Sequence, residues 1–502
     1  MVKRSQPGSH VPSTLHCSRF AEQDTRALAM AMTEEDIKTL IPEIKDYLIT
    51  HGSLLKLVRY EEVSTVQARP VGVSIAPTKF PRSAFDQAQR LQPSMSELYI
   101  RAASNESWLE EVFRPLLKQD AFLSSLWDIW LKVKAAGVVQ DVVCGIFRSD
   151  YMLHGSSKGE SPAIKQVEMN TFSVAGAYHA QTTARMHKHI SREQNDTTRS
   201  LPENNNITSI VSMLSQIHHL YQPKTSHPLC ILMVVQPQNF NIADERPIEY
   251  SLWDRNIPCY RCEWNEVLSQ TTLTPDRTLL YGNTFEVSTI YYRAGYEASE
   301  YLNHDNPRLH LELSRSIKCP DILTHLTTFK SVQAALTRPG ALEHFLPSSP
   351  SSANQIRETF MPMHPLSSTT TPTSYSKYVL KPNLEGGSHN IYPPSIGPFI
   401  STLKKSEYPN YTLMELIKPP PTTGILMTPG EIYAGEVISE LGILGTVIWN
   451  RRSGEVFSND IAGWTFKTKP AEINEMSVVK GYGCFDCPDL TEREEQEQGT
   501  PE

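Results

Sequence analysis

The chain has 502 residues, 39% hydrophobic and 20% charged, with a formal net charge of −8. That length suits about three cores of ~150 residues each. The acidic balance speaks against a protein that coats nucleic acid or a membrane surface, since either needs a dense Lys/Arg face; a local basic pocket for an anionic ligand stays compatible. No apolar run approaches the ~18–20 residues of a membrane helix, and the longest, such as Leu229–Val235, have core-strand length. Neither nucleic acid nor membrane is therefore expected as a partner. Met1–Ala21 carries Lys3, Arg4, Arg19 and several Ser, but no apolar core of a secretory signal. A cytoplasmic, disordered tail over 1–32 is the expectation, with a mitochondrial presequence as its alternative. Eight Cys in so long a chain do not make a disulfide scaffold. The pairs Cys259/Cys262 and Cys484/Cys487 read as unpaired thiols rather than a zinc or redox centre.

A helix is predicted from Thr33, with Glu34, Glu35 and Asp36 in its first turn and Ile37, Leu40, Ile41, Ile44 and Leu48 at helical spacing. Pro42 lies inside it and Gly52 follows. Ala84–Leu91, Trp108–Leu117 and Phe122–Lys134 also read as helical. Strands are predicted at Val142–Phe147, Ile164–Met169, Leu229–Val235, Val287–Arg293, Tyr378–Lys381, Tyr411–Ile417 and Thr446–Trp449. The mixture indicates an α/β or α+β enzyme. Pro347–Ala353, Pro365–Ser376 and Lys418–Gly424 have linker composition, and the charged tail from Thr491 reads as disordered.

Tyr378–Tyr392 delivers Lys381 at the end of a short strand, followed by Glu385, Gly386 and Gly387. Glycines permit backbone conformations whose N–H groups can cradle phosphate, and Glu385 is placed to hold Mg²⁺ beside it. A Gly-Gly turn is equally a common structural turn. Gln166–Asn170 places Glu168 and Asn170 on one strand face, hard oxygen ligands that suit Mg²⁺ or simply a solvated face. Arg148, in Arg148-Ser-Asp-Tyr-Met152, ends an apolar strand; it either clamps a carboxylate or pairs with Asp150. Arg293 ends a strand before Gly295 and Tyr296. Glu415 and Glu440 each sit in an apolar strand, so either a ligand or partial exposure accounts for them. The His187/His189 and His218/His219 pairs carry no assigned role.

Taken together and in order, these segments resemble the eukaryotic-type glutathione synthetases, an ATP-grasp ligase family. Lys381–Tyr392 is similar to their Gly-rich lid, Gln166–Thr171 to their Glu-x-Asn-Thr metal motif, and Arg148–Met152 and Arg293–Tyr296 to their Arg-Ser-Asp-Tyr-Met and Arg-x-Gly-Tyr segments. Lys318–Asp321, Tyr411–Ile417, Ile438–Gly445 and Thr468-Lys469 match as well. The resemblance runs from about Thr33 to Leu490.

It implies a permuted ATP-grasp fold, commonly homodimeric, that uses ATP and Mg²⁺. Its implied parts are a helical region with the metal motif (33–226), a substrate-binding domain (227–330), a lid and ATP-binding part (331–424), C-terminal strands with a substrate loop (425–490), and a tail (491–502). Glu168, Asn170 and Glu385 would coordinate Mg²⁺. ATP would meet Glu168, Lys330, Lys381, Gly386, Gly387, Asn390, Tyr392, Met414, Glu415, Ile417, Glu440, Lys469 and Glu475. Substrate would meet Arg148, Ser173, Ala175, Asn241, Glu245, Arg293, Tyr296, Lys467, Val478 and Val479. The groups expected at the reacting atoms are Arg148, Lys330, Lys381 and Lys467.

The implied reaction joins γ-glutamylcysteine and glycine into glutathione. The alternatives are a ligase of the same chemistry using another amine, and a nucleotide-binding scaffold without catalysis. The chain departs from the family pattern at Ser388 and His389 in the lid, at Glu245 (usually Gln), at Lys467 (usually Arg) and over Glu475–Lys480, where the family has a Gly-Gly-Val-Ala run.

Overall fold

The computed structural model describes residues 32–57, 67–155, 162–237, 239, 241–302, 306–367, 374–383 and 389–492. The expectations for the N-terminal tail up to residue 31, for Glu385, Gly386, Gly387 and Ser388, and for the tail beyond 492 lie outside these residues. The architecture is mixed α/β, built on a 13-stranded sheet. In sheet order the strands are Thr422–Met427, Val73–Ser74, Cys484–Phe485, Val456–Pro470, Ile432–Asn450, Val142–His154, Ile317–Cys319, Phe285–Tyr292, Leu279–Tyr281 and Thr271–Leu273. Ala163–Asn170 pairs with the far half of Val142–His154, and Leu229–Val235 lies between Phe285–Tyr292 and Cys259–Glu263.

Side chains two apart on a strand share a face, so an unbroken apolar run must be covered on both sides. Val143 and Phe147 join Leu441, Ile443, Val447 and Trp449 in one core. Helix Arg82–Ala103 covers it with Ala88, Met95, Leu98 and Tyr99. Cys144, Ile146, Leu444 and Ile448 point the other way, against Ile210, Leu214 and Ile217 of helix Asn206–Leu220. The first helix, Glu34–Thr50, starts at Thr33 with a reciprocal cap to Asp36. A separate three-stranded sheet holds Tyr411–Glu415 between Met363–Pro365 and Tyr378–Pro382.

Several sequence expectations need correction. Arg148 does not end its strand, which continues to His154, because the polar half is paired on both sides by Ile432–Asn450 and Ala163–Asn170. Arg293 lies one residue past its strand, which ends at Tyr292. Pro347–Ala353 is not wholly linker: helix Pro350–Thr359 begins within it, with Pro350 at the first helical position, where its missing N–H costs nothing. Lys418–Gly424 runs into strand Thr422–Met427. The C-terminal strand Pro488–Thr491 includes the residue expected to open a disordered tail. Tyr411–Glu415 is the central strand of its three-stranded sheet.

The seven described cysteines are buried free thiols, as expected for both Cys-x-x-Cys pairs. Asp486, between Cys484 and Cys487, ties this end of the sheet together. Its carboxylate accepts from Ser74 Oγ at 2.5 Å, Thr78 Oγ1 at 2.6 Å, Thr468 Oγ1 at 2.6 Å and the Cys487 N–H at 2.7 Å. Ser74 gives its only proton to Asp486, so the His187 Nε2–H donates to the Ser74 oxygen at 2.9 Å. Removing such an acceptor leaves its buried donors unpaired. Asp486→Ala is expected to destabilise the fold by about 3 kcal/mol, read as a lower urea midpoint.

Candidate active site

The site forms where the polar half of Val142–His154 meets its two neighbours. Register sets Asp150 opposite Glu168 on one side and opposite Gly442 on the other, with Arg148 opposite Asn170. Gly442 is required by close approach: a Cβ there would lie 2.5 Å from Asp150 Oδ1 and 2.8 Å from Arg148 Cδ. Arg148 grips Asp150 with Nε at 2.6 Å and Nη2 at 2.8 Å, and its Nη1 donates to the Ala175 carbonyl at 2.7 Å. Ion pairing, one of the two readings of Arg148, is therefore realised, and the same fork also fixes the backbone of the next segment.

Glu168 and Asn170 share a face as their spacing predicts, with Asn170 Nδ2 donating to Glu168 Oε1 at 3.3 Å and to Asp150 Oδ2 at 3.1 Å. Lys330, opening helix Lys330–Leu336, donates to Glu168 Oε2 at 2.6 Å. Lys381 donates to the Val167 carbonyl at 2.9 Å. Burial works against the Glu168 charge, but Lys330 and Lys381 outweigh it and hold the carboxyl well below the usual range. Burial, then repulsion from Lys330, pushes the Lys381 ammonium down to about 8. Beside them Lys467 Nζ contacts Glu440 Oε1 at 2.5 Å, across a direct strand pair. Burial raises the Glu440 carboxyl and Lys467 opposes that. Lys469 projects from the same face as Lys467 and donates to the Ile473 carbonyl. Glu475 acts on Lys381 and Tyr392 through its charge.

An apolar wall flanks Lys381 on its own sheet. Met414, Val379, Met361, Met363 and Ala334 are buried together, with Tyr392, Leu416 and Ile417 packed on them. Glu415 is half-buried in the same strand, so it needs no partner, and Asn390 is likewise half-buried.

The second half of the site surrounds the turn from Ser173 to Gly176. Ser173 has φ 48° and Gly176 φ 90°. Arg293 Nη1 donates to the Val174 carbonyl at 2.5 Å. Asp244 accepts from the Gly176 N–H at 2.6 Å, from the Tyr178 N–H at 3.3 Å and from Asn241 Nδ2 at 2.6 Å. Tyr296 donates to Gln236 at 2.8 Å. Ser173 Oγ, Arg293 Nε and Glu245 Oε2 are buried with no hydrogen-bond partner. Three such atoms around one turn leave hydrogen-bonding capacity that a polar ligand can meet.

Val478 instead sits in an apolar cluster with Val73, Ile75 and Phe485, and Val479 is 39% exposed. Sequence reasoning missed the holding role of Asp244 and the placement of Arg261 near Glu245. Neither lies in a strong local pattern, and both depend on chain segments far apart in sequence. Among the described residues no group of three or more His, Cys, Asp or Glu assembles as a metal site. Glu168 and Asn170 still fit Mg²⁺ in donor chemistry: a carboxylate kept ionised by its neighbours, next to an amide oxygen.

The family model for the eukaryotic glutathione synthase ATP-binding domain matches residues 34–490. Glutathione synthetase of Homo sapiens is 31% identical over 473 residues, covering 92% of this chain and 98% of that protein. The glutathione synthetase large chain of Schizosaccharomyces pombe is 29% identical over 497 residues, covering 92% and 99%. Among solved structures, a glutathione synthetase-like effector from Globodera pallida in apo form superposes with a TM-score of 0.74 at 22% identity, covering 92% of this chain and 98% of that one, and so shares the fold. No helix among the described residues is long and apolar enough to cross a membrane. By the extent of these matches, the chain belongs to the eukaryotic glutathione synthase family.

Proposed function

We infer that the chain is an ATP-dependent ligase that joins γ-glutamylcysteine to glycine through an acyl phosphate, on a permuted ATP-grasp fold. The observation that carries this reading is the cluster of Lys330, Lys381 and Lys467 around Glu168 and Glu440, next to both an apolar wall and a turn with unsatisfied polar atoms. Lysines suit phosphate oxygens and the wall suits a purine. The orphaned atoms suit a peptide acid.

A carboxylate is a poor electrophile. Its oxygen attacks the γ-phosphorus of ATP, ADP leaves, and a mixed anhydride results. The glycine nitrogen then attacks the carbonyl carbon, inorganic phosphate leaves, and the amide forms as the nitrogen loses a proton. In this reading Lys330 and Lys381 neutralise charge on the transferring phosphoryl group, and Lys467 neutralises charge near the acceptor. Arg148 and Arg293 orient the peptide acid through the turn they hold. Glu168 and Asn170, with Glu385, would hold Mg²⁺; when bound it supplies positive charge between the phosphates. By the resemblance, Gly386 and Gly387 would supply backbone N–H groups to the nucleotide, and the lid they belong to would keep water from the anhydride.

The remaining expectations stand as part of the same proposal. They are the five-part division with a substrate-binding domain over 227–330, a homodimer, and a cytoplasmic location.

Purified protein with ATP, Mg²⁺ and γ-glutamylcysteine is expected to form ADP in a glycine-dependent manner and to yield glutathione by mass. ADP formation with another amine and not with glycine would overturn the substrate assignment. Glu168→Gln is expected to lower kcat by at least about 10²-fold while the variant still unfolds in one cooperative transition, at a lower midpoint because Lys330 loses its buried ion pair with Glu168, checked by the same assay and by calorimetry. Lys381 works as a cation and its value lies at about 8, so its charge is lost as pH rises through 8. The apparent kcat/KM for ATP is therefore expected to fall about tenfold per pH unit above that point, whereas a lysine at its ordinary value of ~10.4 would hold charge two units further. A profile flat to pH 10 would refute this.

A further inference from the structure

We propose that a cavity outside the candidate active site binds a small organic carboxylate between Arg451, Arg452 and the indole of Trp130. The cavity holds about 210 Å³ and forms where segments distant in sequence meet. Helix Ala121–Ala136 contributes Trp130, and helix Ile322–Leu326 contributes Leu323 and Thr324. Strand Ile432–Asn450 contributes Trp449, and the turn after it contributes Arg451 and the exposed Arg452. One water needs only ~10–15 Å³ of such space, so the cavity has room for a molecule of several heavy atoms.

The spare hydrogen-bonding capacity of this cavity lies with its donors. Trp130 is 4% exposed, and its Nε1–H is buried with no acceptor. Arg451 Nε stands 3.4 Å from Asp321 Oδ2, and Arg452 Nε stands 3.4 Å from Asp141 Oδ2. Both distances allow charge attraction but exceed a full hydrogen bond. Arg451 also lies over the Trp130 ring, 4.8 Å from its centroid. Two of the acids are better served. Glu106 Oε1 accepts from Lys134 Nζ at 2.7 Å, and Asp321 Oδ1 accepts from the Thr324 N–H at 3.0 Å and the Thr324 hydroxyl at 2.7 Å. Each of the three acids is matched by a cation, which limits its repulsion of an incoming anion. Spare donors call for an acceptor, and the guanidinium fork matches the two oxygens of a carboxylate. Ala103, Val138 and Leu323 make the rest of the wall apolar. A bare inorganic anion would leave that wall wet, whereas a carboxylate with a short apolar body covers it. Thr324 joins the cavity to the candidate active site, because its carbonyl accepts from Thr171 Oγ1 at 2.8 Å, one residue after Asn170.

The full chain is titrated by ligand-observed NMR with 3-methylbutanoate as the probe, its neutral amide as the matched control and inorganic phosphate as the competitor. Wild type is expected to bind the carboxylate with a dissociation constant near about 1 mM, at least about tenfold more tightly than the amide. Arg451→Gln is expected to weaken that binding at least about tenfold. Trp130→Phe keeps a ring beneath Arg451 and removes the N–H, and is expected to weaken it about fivefold or more. If Arg451→Gln does not fold, the conservative Trp130→Phe carries the comparison. Equal affinity for carboxylate and amide would overturn the proposal. Binding unchanged in either folded variant would place the probe at another site and overturn it too. Displacement by phosphate at equal concentration would overturn the choice of an organic ligand. No binding at about ten times the expected constant would leave a cavity that holds water alone, and would overturn the proposal outright. None of these outcomes bears on the ligase reading, which rests on other residues.

Discussion

The contact between Lys330 Nζ and Glu168 Oε2, 2.6 Å long, joins segments 162 residues apart and sets the terms for the rest of the site. A phosphoryl-transfer site needs several cations close together, and burial makes each costly unless an opposite charge stands near. The molecule meets this by pairing within the site: Lys330 with Glu168, Lys467 with Glu440, Arg148 with Asp150. Lys381 takes a backbone carbonyl instead, and burial with repulsion from Lys330 lowers its value. In the proposed reaction, substrate phosphates exchange with partners already in place. Such exchange costs less than creating bare charges, because the cations are desolvated before any ligand arrives.

These pairs depend on one strand being longer than its apolar run. Val142–His154 is buried on both faces at its first half, where packing alone fixes it between two helices. Its second half is polar, and it stays a strand because both edges are hydrogen-bonded to Ile432–Asn450 and Ala163–Asn170. Chemistry is thereby placed on the continuation of a rigid core element, where its geometry is held by packing some residues away. Gly442 is the local condition for this, since any side chain there would strike Arg148 and Asp150.

The sequence makes the apolar halves legible. Leu229–Val235 is found with the bounds its composition predicts, and the first helix is capped at Thr33. Glu168 and Asn170 could be put on one face because strand periodicity is strict. What could not be read was the polar continuation to His154, because nothing local marks a strand whose stability comes from two distant partners. The same holds for Asp244. Its hold on Gly176 and Tyr178 reaches across more than sixty residues, and a single Asp before a Glu carries no spacing signal. Pro and Ser misled at Pro347–Ala353, where Pro350 opens a helix instead of preventing one.

Lys467 shows how one substitution is absorbed by its surroundings. An arginine at this position would bring a planar fork able to hold Glu440 with one edge and present another to a ligand. The lysine ammonium is a point charge, and it lies 2.5 Å from Glu440. Its other protons can reach a ligand, but only from the position that Glu440 dictates. That position is fixed from behind. Thr468 faces the opposite side of the strand from Lys467 and Lys469, donates to Asp486 at 2.6 Å, and lies 2.8 Å from the Ser439 hydroxyl. The two lysines are thus presented by a strand anchored through the residue between them. Charge is kept where the fork is lost, and directionality comes from the backbone rather than from the side chain.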